Sequence, residues 1–176
     1  TDANWNLAGD MTGETGVEIR AGKMDITGGT IVATGDSTTV GPNGNGSTTI
    51  GAGVAIAQHT TKLPIEVTIS GGTIKGATAL KQSNPQNNDD TSVAQVEISV
   101  TGGTFEATSA NGKAVESENV KNFIKGGSFS SPVDKEHLDE SLKAGLYSPS
   151  ANPDAPYSYY TSVEAVSYTH LTLPTI

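Results

Sequence analysis

The sequence predicts an all-β chain in which short strands stack as parallel coils, and three observations carry the prediction. A phrase recurs four times, as "MDITGGTIVA", "VTISGGTIKG", "ISVTGGTFEA" and "NFIKGGSFSS". Apolar and polar residues alternate on both sides of each glycine pair, which is the period of a half-buried strand. The composition suits thin layers of small side chains, with 34% hydrophobic, 5% aromatic and 16% charged residues.

Aligning the phrases on Gly28-Gly29, Gly71-Gly72, Gly102-Gly103 and Gly126-Gly127 gives columns of like residues. Ile26, Ile69, Val100 and Ile124 precede the pairs, and Ile31, Ile74, Phe105 and Phe129 follow them. Upstream, "GVEIR", "GVAIA", "ATALK" and "GKAVE" place Ile19, Ile56, Leu80 and Val115 in a further column. Each unit therefore reads as strand, link, strand, glycine corner, strand. A glycine pair between strands has two physical readings. It closes a two-residue antiparallel hairpin, because glycine accepts positive φ, or it turns the corner of a coil whose neighbours stack closely. The first leads to a hairpin-based β-sandwich. The columns of like residues favour the second, a parallel β-helix of about four rungs, since each coil pairs with its copies above and below.

Polar inserts between the repeats, around 36–52 and 82–92, are expected as loops on the outside of the stack. "SPVDKEHLDESLKAG" fits a short helical cap: Asp134 is placed to cap it, Leu138 and Leu142 share one face, and Gly145 stops it. The expected divisions are an incomplete N-terminal edge at 1–15, repeats at 16–131, a helical cap at 132–146 and the start of a further segment at 147–165. Val166–Ile176 breaks the style of the rest. Its back-translation fits, in frame, a transposase-end sequencing adapter, so this tail reads as adapter on a truncated metagenomic fragment.

The phrases "ITGGTI", "ISGGTI", "VTGGTF" and "KGGSFSSPVD" resemble the Gly-Gly-Thr repeats of bacterial secreted and cell-surface proteins. The resemblance covers about Gly16 to Gly145 and departs at Asn122, Phe123 and Lys125, where an irregular last rung is expected. It implies a right-handed parallel β-helix of the pectate-lyase-like type, an extracellular or cell-surface location and a structural or adhesive display role. Glycans or host and cell-surface proteins are the implied partners, with the loops 36–52 and 82–92 as contact surfaces. The competing reading is part of a polysaccharide-degrading lyase or glycosidase domain.

Chemistry-bearing residues are sparse. The net charge of -9 and a single arginine, Arg20, argue against nucleic-acid binding. No run of residues has the length and apolarity of a membrane span. The absence of cysteine excludes disulfides and thiolate metal sites. Lys75 beside Glu106, and Lys81 beside Glu116 in a column with Arg20 and Ala57, read as ion pairs between neighbouring rungs. "NNDD" at 87–90 lacks the spacing of calcium loops and reads as a solvated loop. His59 and His137 lack ligand spacing and read as surface residues. Trp5, Tyr157, Tyr159 and Tyr160 are candidate sugar-stacking aromatics, although packing against later chain explains the tyrosines better. Asn45 opens a glycosylation sequon. No catalytic residue, cofactor or metal is expected, and nothing bears on the oligomeric state.

Overall fold

The computed structural model describes residues 4–43, 46–143, 147–148 and 157–159. Asn45, Gly145, Tyr160 and the tail Val166–Ile176 lie outside them. The described residues are all-β apart from two one-turn helices, and their strands form mainly parallel sheets. The first pass contributes β1 (Asn4–Leu7), β2 (Met11–Gly13) and β3 (Val17–Ile19). The second contributes β4 (Gly22–Ile26) and β5 (Thr30–Ala33), then an excursion of β6 (Thr39–Asn43) and β7 (Gly46–Ile50), then β8 (Ala52–Ala57). The third gives β9 (Ile65–Ile69), β10 (Thr73–Gly76) and β11 (Thr78–Ser83), followed by helix α1 (Asp90–Val93). The fourth gives β12 (Val96–Val100), β13 (Thr104–Ala107) and β14 (Val115–Ser117). After it come β15 (Ser128–Phe129), helix α2 (Glu140–Lys143), β16 (Tyr147–Ser148) and β17 (Tyr157–Tyr159).

Apart from β6 and β7, which pair only with each other, these strands sort into three sheets visited in constant order. The first sheet is β1-β4-β9-β12, the second β2-β5-β10-β13-β15 with β17 and β16 beyond, and the third β3-β8-β11-β14. Neighbours in these three sheets are parallel, except that β17 joins β15 and β16 antiparallel. The strands flanking a glycine pair, such as β4 and β5, lie in different sheets. The pairs therefore do not close hairpins, and the sandwich alternative is set aside.

Two constraints act on the glycine pairs. The second glycine of each pair sits in the left-handed region, at φ 79° for Gly29, 87° for Gly72, 97° for Gly103 and 115° for Gly127. In the last three pairs the first glycine lies against backbone near the preceding pair. A Cβ on Gly71 would stand 2.5 Å from the Thr27 carbonyl oxygen, and one on Gly102 2.5 Å from that of Ser70. A side chain at the second glycine meets a conformational penalty, and at Gly29 and Gly72 a backbone contact as well, whereas one at Gly71, Gly102 or Gly126 meets a backbone collision.

Alternation directs the apolar set inward. Ile26 pairs with Ile69, Ile69 with Val100, and Val100 bridges to Ile124. In the second sheet Ile31, Ile74, Phe105 and Phe129 follow one another in register. All eight are fully buried. Each such side chain contributes roughly 1.5–3 kcal/mol of apolar burial. The Phe105 and Phe129 rings stack with centroids 5.0 Å apart.

The third sheet corrects the alignment. Ile19, Ile56, Leu80 and Val115 are all buried, but they do not form one column. Val17, Val54, Leu80 and Val115 stack together, while Ile19 and Ile56 continue into Gln82 and Ser117. Likewise Lys81 follows Glu18 and Ala55, not Arg20 and Ala57. The slip is two residues, which leaves every side chain on its original face. It places the buried amide of Gln82 where the corner after β14 needs an acceptor. Its Oε1 accepts from the Ser117 hydroxyl at 2.9 Å, from Glu118 N–H at 3.0 Å and from Asn119 N–H at 2.8 Å.

The last coil is irregular. Its first-sheet strand is reduced to a bridge at Ile124, which also bridges to Leu138, and Asn122 has φ 57°. Leu138 is thereby taken out of the helix expected after Asp134. Among the described residues α2 starts only at Glu140, with the Asp139 carboxylate accepting Ser141 N–H at 3.0 Å. Asp134 instead pairs with Lys113 at 3.1 Å. Val133, Leu138 and Leu142 are buried over this end of the core.

Candidate functional site

The loop at 36–52 is the main departure from the stack. It forms the antiparallel hairpin β6–β7, with Thr39 opposite Ile50 and Asn43 opposite Gly46. Val40 and Ile50 are exposed on it. Its base is tied to the coils on either side. The Thr15 hydroxyl donates to the Thr49 carbonyl, Thr49 N–H to Glu18 Oε1 at 3.1 Å, and Thr38 to the Thr78 hydroxyl at 2.9 Å. Gly51, at φ 76°, returns the chain to the third sheet.

Beside the hairpin base lies a shallow groove of about 470 Å³ lined by Asp36, Thr38, Thr78, Lys81, Asn111 and Glu116 among others. Lys81 and Glu116 pair at 2.7 Å in this groove. Hydroxyls, an amide and one partly buried ion pair share this surface with Ala77, Ala110 and Gly112.

Burial pushes the Glu18 carboxyl above its ordinary 4.5, opposed by the hydrogen bonds from Thr49 and the charge of Arg20. A carboxyl raised on folding favours the folded state while protonated and loses that contribution as pH rises through its folded value. Glu18→Gln keeps an acceptor for Thr49 and removes the charge. The variant is expected to melt slightly above the parent at pH 7, with the gap closing as pH falls toward about 4.5. Melting curves across pH 4–8 check this, and a gap independent of pH would refute it.

The loop at 82–92 is not a free contact loop. Gln82, Ser83, Asn88 and Ser92 are buried in it. Asn88 donates through Nδ2 to Gln58 Oε1 at 3.0 Å and to the His59 carbonyl at 3.1 Å. Gln58 in turn donates to the Leu63 and Ser92 carbonyls, both at 3.0 Å. Asn84 and Asn88 exchange side-chain and backbone bonds at 2.9 and 3.0 Å. Within "NNDD" Asn88 is the buried stitch, while Asn87, Asp89 and Asp90 are exposed as a solvated loop requires.

Asp89 caps α1, accepting from Ser92 N–H at 3.0 Å, and pairs with Lys62. The Lys62 ammonium, with the N–H and hydroxyl of Ser92, holds the Asp89 carboxyl down to about 2 from 3.8. A depressed carboxyl stabilises the fold above its unfolded value and loses that contribution as pH falls through its folded one. Asp89→Asn is expected to be less stable than the parent at neutral pH and to lack the parent's further loss between about pH 4 and pH 2. Parallel acid titrations of the two proteins would contradict this.

The other charged candidates are ion pairs across coils. Lys75 meets Glu106 at 2.7 Å, Lys121 meets Glu136 at 3.1 Å, and Lys23 meets Glu66. Exposed pairs of this kind contribute roughly 0–1 kcal/mol each. Among the described residues, no group of three or more His, Cys, Asp or Glu side chains could hold a metal ion. No helix among them is long and apolar enough to cross a membrane.

His59 is partly exposed, beside the hydroxyls of Thr60 and Thr61. His137 is not a surface residue. It is 2% exposed, with Nε2 3.2 Å from the Ser117 carbonyl and its ring 5.4 Å from that of Phe123. Trp5 and the tyrosines do not form one platform. Trp5 is on β1 at one end of the stack, whereas Tyr157 and Tyr159 are on β17 at the other. The polar stitch of Gln58, Asn84 and Asn88 was missed from the sequence. Its only signal there was the density of amides in two inserts that flank one coil.

The chain matches no family model, no curated protein and no solved structure.

Proposed function

We propose that the three sheets are the faces of a right-handed parallel β-helix. In this reading the chain is a structural and adhesive display module of a bacterial secreted or cell-surface protein. One observation supports it above the others: the chain returns to the same three sheets in the same order, so every insert leaves at a corner. The strands hold position while the corners vary. The hairpin β6–β7 and the hydroxyl-lined groove at its base are then the displayed contact surface. A glycan or a host or cell-surface protein is the class of partner such a polar surface would meet.

The test compares the chain with a variant in which 38–50 is replaced by a short Gly-Ser link. Both are applied to a glycan array and to whole cells, with circular dichroism as the check on the ladder. Binding by the parent and loss in the variant, at unchanged spectrum, is the expected result. Absence of binding by both, or equal binding by both, removes the adhesive role from this hairpin.

A further inference from the structure

The first sheet loses a strand where the last coil leaves it. In a parallel ladder, alternate residues turn both backbone groups to the same side. Ile65 N–H donates to the Gln95 carbonyl at 3.0 Å, and Thr101 N–H to the Ile69 carbonyl at 2.8 Å. The odd-numbered residues of β12 therefore face β9, while Val96, Ile98 and Val100 face the following coil. Val100 is met there. Its N–H donates to the Phe123 carbonyl at 2.9 Å and its carbonyl accepts Lys125 N–H at 2.7 Å. Val96 and Ile98 are not met: their N–H and C=O groups on that side have no partner among the described residues.

The following chain is held elsewhere. Glu118 and Asn119 give their N–H groups to the Gln82 side chain, and Asn122 and Phe123 give theirs to the Glu136 and His137 carbonyls. Two clefts of about 470 and 360 Å³ open along β12, both lined by Val96, Val120 and Lys121. Val93 of α1 lines the first and Ile98 the second. All of the lining residues fall within 66–125. A strand edge with unpaired backbone groups is a template for another strand.

We propose that this slot takes a short extended peptide of a partner protein, running parallel to β12 as the missing strand of the sheet. Helix α1 closes the slot at one end and the Val100–Ile124 bridge at the other. That leaves Val96 to Ile98, a length of about 10 Å at roughly 3.3 Å per residue. So short a notch admits a single extended chain but not the edge of a folded second copy. The ladder also fixes the side chains. Val96 continues the inward column of Ile65, and Ile98 that of Val67. Occupant residues opposite these two point to the core and are apolar, and the residue between them, opposite Glu97, points outward and is polar. This central residue gives its N–H to the Val96 carbonyl and accepts the Ile98 N–H.

The whole chain, isotope-labelled, is titrated with the probe acetyl-Ser-Ile-Thr-Val-Ser-amide, and amide exchange is read by NMR. In the free chain the Val96 and Ile98 amides are expected to exchange at least about tenfold faster than that of Val67, which lies inside the ladder. The probe should bind saturably at about millimolar affinity and slow both amides at least about tenfold. N-methylation of its threonine should abolish binding. N-methylation of its valine, whose N–H points away from β12, should leave binding in place. The proposal fails if no saturable binding occurs, if the two N-methyl probes bind alike, or if Val96 and Ile98 are as protected as Val67 without any probe. Protection that grows with protein concentration alone also overturns it, since the occupant is then a second copy.

Discussion

Phe105→Ala is expected to lower stability by about 3–5 kcal/mol, the range for truncating a buried phenylalanine. Phe105 is fully buried, follows Ile74 in register and stacks on Phe129 with an interplanar angle of 11°. The truncation removes apolar burial and strips one face of the Phe129 ring, which adds about 0.5–1.5 kcal/mol of ring contact to the loss. Stacked coils cannot collapse sideways into the gap, because the ladder above and below fixes the strand spacing. Phe105→Leu keeps most of the volume and should cost less than about 1.5 kcal/mol. Urea denaturation with an unchanged slope measures both. A Phe105→Ala loss under 1 kcal/mol would mean that the column is not a packed interior.

Gly102→Ala is the second large effect expected, at about 2–3 kcal/mol or roughly 5–10 °C in melting temperature. The added methyl meets backbone, the Ser70 carbonyl oxygen at 2.5 Å, so no side chain can move aside to receive it. The coil must separate locally from its neighbour. Gly9→Ala is the control, since a Cβ there has nothing within 4 Å. Gly103→Ala tests the other cause, a left-handed φ of 97°, and should cost about 1–2 kcal/mol. Equal melting temperatures for Gly102→Ala and Gly9→Ala would disprove the close approach of the corners.

Much of the architecture was legible because it repeats. Glycine pairs, alternation and like residues at fixed offsets place Ile26, Ile69, Ile74 and Phe105 inside without any structure. Offsets in the third sheet were not legible, since a slip of two residues leaves the alternation unchanged. Only the amides at the corner after β14 show that Gln82 belongs opposite Ser117. His137 and Phe123 escaped for another reason. Their burial comes from the segment that folds back after the last glycine pair, and the local pattern carries no trace of it. The helix was expected to start after Asp134 and starts after Asp139 instead, where only Leu142 of the two leucines remains in it. Leu138 had been drawn off to bridge Ile124. In the candidate site, the hairpin's position followed from the insert. The stitched loop did not, because Asn88 finds its partner Gln58 on the preceding coil.

The hairpin β6–β7 interrupts the passage from β5 to β8, yet Val54 still meets Val17 and Leu80 as though nothing intervened. The strand ladder is blind to the length of chain spent between its members, and the entropic penalty of a longer excursion grows only logarithmically. This corner is therefore a natural graft point. Foreign epitopes or whole small domains could be spliced there, and gene-level insertions could diversify it, while the scaffold beneath stays the same.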